Sequence, residues 1–252
     1  MKQTAQEIFK DLLREANADP NIVGFFLSGS RGKGFETPMS DYDVYMIVKD
    51  AVAKTYEKKY GAKRRTGIDL MVFPIKDFRK LGSWNSDTRW ARSGFTGIDA
   101  LVDKLHGKIQ RLVNEKGSLP KKEQKRFIAA QLDAYLNAFI RSVESHRKRD
   151  LVGARLEAAV SIHPLLHALF GLDGRLAPYP DYLAKELSRR PLTKFPMAGK
   201  KLLRALLKIL ATGNIKIQQS LARTVEKTAR RSGYRKVFNA WGKRLAHAMY
   251  RS

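Results

Sequence analysis

Asp41 and Asp43 flank Tyr42 at the head of an apolar run, Val44-Tyr45-Met46-Ile47-Val48. Side chains two apart on a strand point the same way, so both carboxylates would face one side and Tyr42 and Val44 the other. Upstream, Ser28-Gly29-Ser30 closes another apolar run, residues 22–27. Its small side chains let backbone N–H groups approach a phosphate closely. Two carboxylates converging beside such a turn make a seat for Mg²⁺, which prefers hard oxygen ligands and keeps substrate phosphates in its shell. The competing reading is a hairpin-like surface loop with solvated aspartates. Asp is depleted in strands unless something requires it there, which favours the first reading.

The elements that must hold these groups can be read on either side. The run 22–27, bounded by turn residues, predicts a buried strand. Gly32, Gly34 and Pro38 mark the next residues as a loop. Residues 4–16 carry Ile8, Leu12 and Leu13 at helical spacing, with Glu7 early and Arg14 late to suit the helix dipole; this helix should pack on the sheet. Residues 51–60 read as a short helix ended by Gly61, 68–73 as a third strand, 75–81 as a short helix, 97–103 as a fourth strand and 107–115 as a helix. Trp84 and Trp90 lie in an irregular stretch that could floor a base or sugar pocket or cover the sheet edge. Gly117-Ser118-Leu119-Pro120 is the best boundary. It predicts an α+β chain, with strands and helices over 1–117 and an all-helical domain over 118–252.

The motif resembles the signature of the nucleotidyltransferase superfamily that includes DNA polymerase β and the antibiotic adenylyltransferases: an apolar strand, Gly-Ser, a spacer, then Asp-x-Asp on an apolar strand. Here these are Gly29, Ser30, Asp41 and Asp43. The resemblance implies a small mixed-sheet catalytic domain over 1–117 and a helical acceptor-binding domain over 118–252. It implies transfer of a nucleoside monophosphate from Mg²⁺-NTP, with ATP as the expected nucleotide, to a hydroxyl, releasing pyrophosphate. It implies Asp41 and Asp43 as metal ligands and a third carboxylate on a following strand, which only Asp69 is placed to supply. Asp69 would bind a second Mg²⁺ or take the acceptor proton; otherwise it is a strand-edge aspartate at the solvent boundary. Gly29, Ser30, Arg31, Lys33 and Ser40 would contact the nucleotide phosphates.

Beyond Pro120 the pattern is helical throughout. Residues 127–143 form a long amphipathic helix whose polar stripe includes Asp133, Arg141 and Glu144. That stripe is a solvent face laced with charge pairs, or Arg141 reaches the triphosphate. The helix 151–170 is apolar on both sides and is expected to be central, with Arg155 and Glu157 partly buried. These two are acceptor-binding candidates or a structural pair. His163 and His167 lack a third zinc ligand and read as core-edge residues. Segments 132–137, 153–159 and 221–233 look similar to the helical part of uncharacterised bacterial two-domain nucleotidyltransferases.

Charge constrains the acceptor. The chain of 252 residues carries 49 Lys and Arg against 24 Asp and Glu, a net +25. Residues 185–252 hold eighteen of those cations against only Glu186 and Glu226. Such a surface favours polyanions and repels polycations, which argues against a polycationic aminoglycoside. A weakly charged, antibiotic-type small molecule is the expected acceptor, or RNA such as tRNA held on basic C-terminal helices. Lys200, Lys201, Arg204 and Lys208 should form one basic face, and Arg223, Lys227, Arg230 and Arg231 a second. A non-enzymatic binding module is disfavoured by the three intact aspartates. There is no cysteine, no apolar run of membrane-spanning length and no signal-peptide core at the start. The expectation is a cytoplasmic protein with no membrane partner.

Overall fold

The computed structural model describes residues 3–61 and 66–251. The chain divides into two compact units, 1–118 and 119–252. It is α+β: the first unit carries a four-stranded mixed sheet, and every regular element described in the second is helical.

Helix α1 (Ala5–Ala18) opens with a capping box. The Thr4 amide donates to Glu7 at 2.8 Å, and the Glu7 amide donates back to the Thr4 hydroxyl at 3.3 Å. This satisfies amides that a helix start otherwise leaves unpaired. Strand β1 (Ile22–Leu27) follows, then a four-residue helical turn, α2 (Gly29–Gly32), where a loop is expected from the glycines. Strand β2 (Tyr42–Val48) leads through α3 (Ala53–Tyr60) to β3 (Ile68–Pro74). Helix α4 (Ile75–Lys80), a 3₁₀ stretch over Asp87–Phe95, β4 (Ala100–Asp103) and α5 (Lys108–Lys116) complete the unit. The fourth strand is shorter than its apolar pattern suggests, because only Ala100–Asp103 reach β1.

The strand order is β3-β2-β1-β4. β1 is antiparallel to both neighbours, and β2 runs parallel to β3. Both sheet faces are covered, so β1 is apolar along its whole length. One face buries Phe25, Val44 and Met46 against Leu12 and Ala16 of α1 and Tyr56 and Tyr60 of α3. The other buries Phe26, Tyr45 and Ile47 against Phe78, Phe95, Ile109 and Val113. Each fully buried Phe contributes about 2 kcal/mol of transfer free energy.

The second unit comprises α6 (Lys121–Arg147), α7 (Leu151–Leu172), α8 (Leu183–Arg189), α9 (Gly199–Thr212), α10 (Ile215–Arg231) and α11 (Arg235–Tyr250). Its core joins Leu132, Leu136 and Phe139 of α6 to Leu165 and Leu169 of α7 and Leu221 and Val225 of α10. The polar stripe of α6 is largely engaged with α11. Asp133 accepts from Trp241 Nε1 at 2.9 Å, and Glu144 takes both Nε and Nη2 of Arg244 at 2.8 Å. Helix α7 departs from the expected all-round burial. Its C-terminal half is central, but Val152, Leu156 and Val160 are 72%, 63% and 61% exposed. Arg155 is exposed as well, not partly buried. Periodicity cannot show which apolar stripe finds a partner when a helix has two.

Candidate active site

Strand parity and register set where the three aspartates lie. Tyr42, Val44 and Met46 point into the α1 side of the sheet, which places Asp43 on the opposite side with Tyr45 and Ile47. In the parallel β2–β3 ladder Asp43 pairs directly with Asp69, so their side chains stand on one face of strands ~4.8 Å apart. Asp41 immediately precedes β2. Asp43 is half-buried, whereas Asp41 and Asp69 are exposed. Burial first, then repulsion from Asp41 and from Asp69, raises the Asp43 carboxyl above its ordinary pKa. No hydrogen bond or ion pair within the described residues offsets that repulsion.

The Ser28–Ser30 turn is built around the same carboxylate. The Ser28 amide donates to the Asp43 carbonyl at 2.8 Å, which extends the β1–β2 pairing to the turn itself. Gly29 then takes φ +58, a left-handed conformation that glycine adopts without steric cost. A Cβ at this position would lie 1.7 Å from Asp43 Oδ2. Gly29 is therefore fixed twice, by its backbone and by the acid packed against it. The amides of Gly29 and Ser30 and the Ser30 hydroxyl have no protein partner within the described residues.

Three expected phosphate ligands have internal roles here. The Arg31 guanidinium donates Nε to the Asp41 carbonyl at 3.0 Å and Nη2 to the Ser40 carbonyl at 2.8 Å. It also stacks 3.9 Å over the Tyr42 ring, which rests on Phe9. Arg31 is thus a brace that fixes the entry to β2. Lys33 Nζ donates to the carbonyls of Ser93 and Thr96 at 3.1 and 2.6 Å. The Ser40 hydroxyl accepts the Thr37 amide at 2.9 Å and closes the turn before Asp41. In the second unit, Arg141 forms an ion pair with Glu157. The structure brings these two candidates together although the sequence suggested different ligands for them. The Arg155 side chain packs beside Gly213, whose Cβ would meet its Cγ at 2.8 Å. Of the two tryptophans, Trp84 lies between Arg89 and Arg92, each 5.5 Å from its ring, and Trp90 is 69% exposed.

Within the described residues no three His, Cys, Asp or Glu side chains form a ready-made metal-ligating group. The donors around Asp43 nevertheless suit a hard divalent cation. They are carboxylate oxygens only, and their mutual repulsion is what a bound cation would relieve.

No protein-family model matches the chain, and no curated protein sequence does. Among solved structures, one match is a nucleotidyltransferase-like protein from Exiguobacterium sibiricum. It is 13% identical, with a TM-score of 0.41 over 90% of this chain and 80% of that one.

Proposed function

We infer that this protein is a nucleotidyltransferase that moves a nucleoside monophosphate from Mg²⁺-NTP, with ATP as the preferred nucleotide, to an acceptor hydroxyl. The observation that carries this reading is the half-buried Asp43 carboxylate. It is unpaired within the described residues, repelled by Asp41 and Asp69, and packed against Gly29 of a turn with free amides. A structural aspartate would have acquired a donor, since an uncompensated buried charge is costly.

Asp41, Asp43 and Asp69 would hold one or two Mg²⁺ ions, which neutralise phosphate charge and polarise the α-phosphorus when bound. The Gly29 and Ser30 amides and the Ser30 hydroxyl bind the β- and γ-phosphates as hydrogen-bond donors. Arg31 and Lys33 position this loop through the carbonyls they engage, and Ser40 holds the turn that leads to Asp41. Asp69 accepts the acceptor's proton as its oxygen bonds to the α-phosphorus and the bond to the pyrophosphate oxygen breaks. The acceptor expected on charge grounds is a small, not strongly cationic hydroxyl compound. RNA is the second reading, favoured by the exposed cation row Lys200, Lys201, Arg204 and Lys208 on α9.

The test is incubation with each labelled NTP and Mg²⁺ against an antibiotic panel and total RNA. Transfer should fall about 10²-fold or more in Asp41→Asn and Asp43→Asn, the scale of losing one preorganised electrostatic contact. Asp69→Asn should lower turnover far more than NTP binding. Near-normal turnover of Asp43→Asn at limiting Mg²⁺ would overturn the assignment.

A further inference from the structure

A second feature lies within the helical unit. A cavity of about 300 Å³ is lined by Lys194, Pro196, Lys227, Thr228, Arg231 and Ser232. Lys227 and Arg231 are one turn apart on α10, with Thr228 beside them, and Ser232 caps that helix. Lys194 arrives from the segment before α9. The lining therefore holds three cations, two hydroxyls and no acid.

None of the three cations has a hydrogen bond or ion pair to an acidic side chain within the described residues. The nearby acids are engaged elsewhere. Glu226 pairs with Arg230 at 2.8 Å. Asp173 receives the Thr193 and Lys194 amides at 2.8 and 2.9 Å and pairs with Arg175 at 3.2 Å. That anchor fixes the backbone that carries Lys194 while leaving its ammonium uncompensated. The dipole at the end of α10 welcomes a cation, but it amounts to roughly half a charge and cannot balance three. All three cations are exposed at the rim of the cavity, where one anion could meet them together. Lys, Arg and hydroxyl donors around a small cavity match a phosphoryl oxygen set, with charge-assisted hydrogen bonds from each cation. The volume sits at the lower end of small-ligand pockets, enough for one phosphoryl group and part of its sugar.

We propose that the Lys194–Lys227–Arg231 cavity binds the phosphoryl group of a phosphate ester. This inference stands apart from the nucleotidyl-transfer reading, because its test measures binding and involves none of the three aspartates. The probes are inorganic phosphate, followed by ³¹P NMR line broadening, and a short oligoribonucleotide with and without a 5′-phosphate, followed by fluorescence anisotropy. Wild type should bind inorganic phosphate, and the Lys227→Ala/Arg231→Ala variant should lose at least tenfold in affinity. Lys194→Ala, on a segment outside any helix, should lose affinity in the same direction, and Lys243→Ala, outside the cavity, should lose none. Phosphate held at the Gly29–Ser30 turn would be a constant background in all four proteins. For the oligonucleotide, removing two contacts should reduce the log–log salt slope by about 1.4. A preference for the 5′-phosphorylated form identifies a phosphomonoester as the ligand. Equal binding of both forms with the same loss in the variants identifies a backbone phosphodiester. Absence of phosphate binding to wild type at low salt, or binding unchanged in both cavity variants, overturns the proposal.

Discussion

Asp43 is the residue on which local stability and proposed function conflict. Its carboxyl pKa is raised, chiefly by burial and then by Asp41 and Asp69. A carboxyl whose folded pKa exceeds its unfolded value binds a proton more tightly in the native state. Its stabilising contribution is full below the unfolded value and is lost as pH rises through the folded pKa. At neutral pH the ionised group therefore burdens the metal-free fold. Asp43→Asn should raise the Tm of metal-free protein at pH 7 and reduce the stabilisation that wild type gains on mild acidification. Mg²⁺ should raise the Tm of wild type and leave the Asn variant unchanged. Thermal melts across pH 4–7.5, with and without Mg²⁺, check both. A variant that melts lower than wild type without metal would make Asp43 a structural residue.

At the scale of elements, a pair of buried cations fixes the far side of the first unit. Arg92 donates to the Gly82 and Ser118 carbonyls at 2.8 and 2.7 Å, and Lys116 donates to those of Arg79 and Leu81. These acceptors lie at and beyond the C-terminal ends of α4 and α5, where carbonyls lack helical partners and the dipole favours positive charge. Burial first, then Arg92, lowers the Lys116 pKa to about 8. With the folded pKa below the unfolded one, the native state sheds this proton first, so stability rises from about pH 8 toward the ordinary lysine value of about 10.4. Native-state hydrogen exchange of α4 and α5 amides, corrected for intrinsic rates, should show wild type gaining about 2 kcal/mol relative to Lys116→Met between pH 7.5 and 9.5. No difference in pH dependence would refute the assignment. This clamp illustrates what the sequence hides. The bounds of β1 and the side of β2 on which Asp43 falls were legible, because both depend on local alternation. The Asp43–Asp69 pairing was expected only through the resemblance, since register is a long-range property. The positions of Arg31, Lys33, Arg92 and Lys116 were not legible. Carbonyls that accept from a cation leave no compositional mark, and those Lys33 meets belong to Ser93 and Thr96, far along the chain. The α2 turn was hidden by its glycines, which read as loop.

The whole molecule is governed by its net charge of +25, and the structure divides that charge into engaged and available parts. Two cations expected on a basic face of α10 are engaged internally. Arg223 donates to the Met249 carbonyl at 2.7 Å, and Arg230 pairs with Glu226 and donates to Asn239 at 2.7 Å. Lys200, Lys201, Arg204 and Lys208 of α9 remain exposed, without a carboxylate partner within the described residues. The unengaged basic surface is therefore less regular than spacing alone implied: a full row on α9, but on α10 only Lys227 and Arg231 of the four expected cations. Each cation that meets a phosphate of single-stranded RNA contributes about −0.7 to the log–log salt slope. If RNA is the acceptor, full use of the α9 row alone gives about −2.8, and Lys200→Ala/Lys201→Ala/Arg204→Ala should bring it to about −0.7. A small neutral acceptor would show little salt dependence and no response to the triple substitution. Attraction to a polycation can mimic binding, so the decisive measurement pairs the salt titration with transfer of labelled nucleotide onto the same RNA. Steep binding without transfer would assign the α9 row to non-specific attraction and leave the small-molecule acceptor standing. Transfer that falls with the triple variant and with rising salt in parallel would make RNA the substrate.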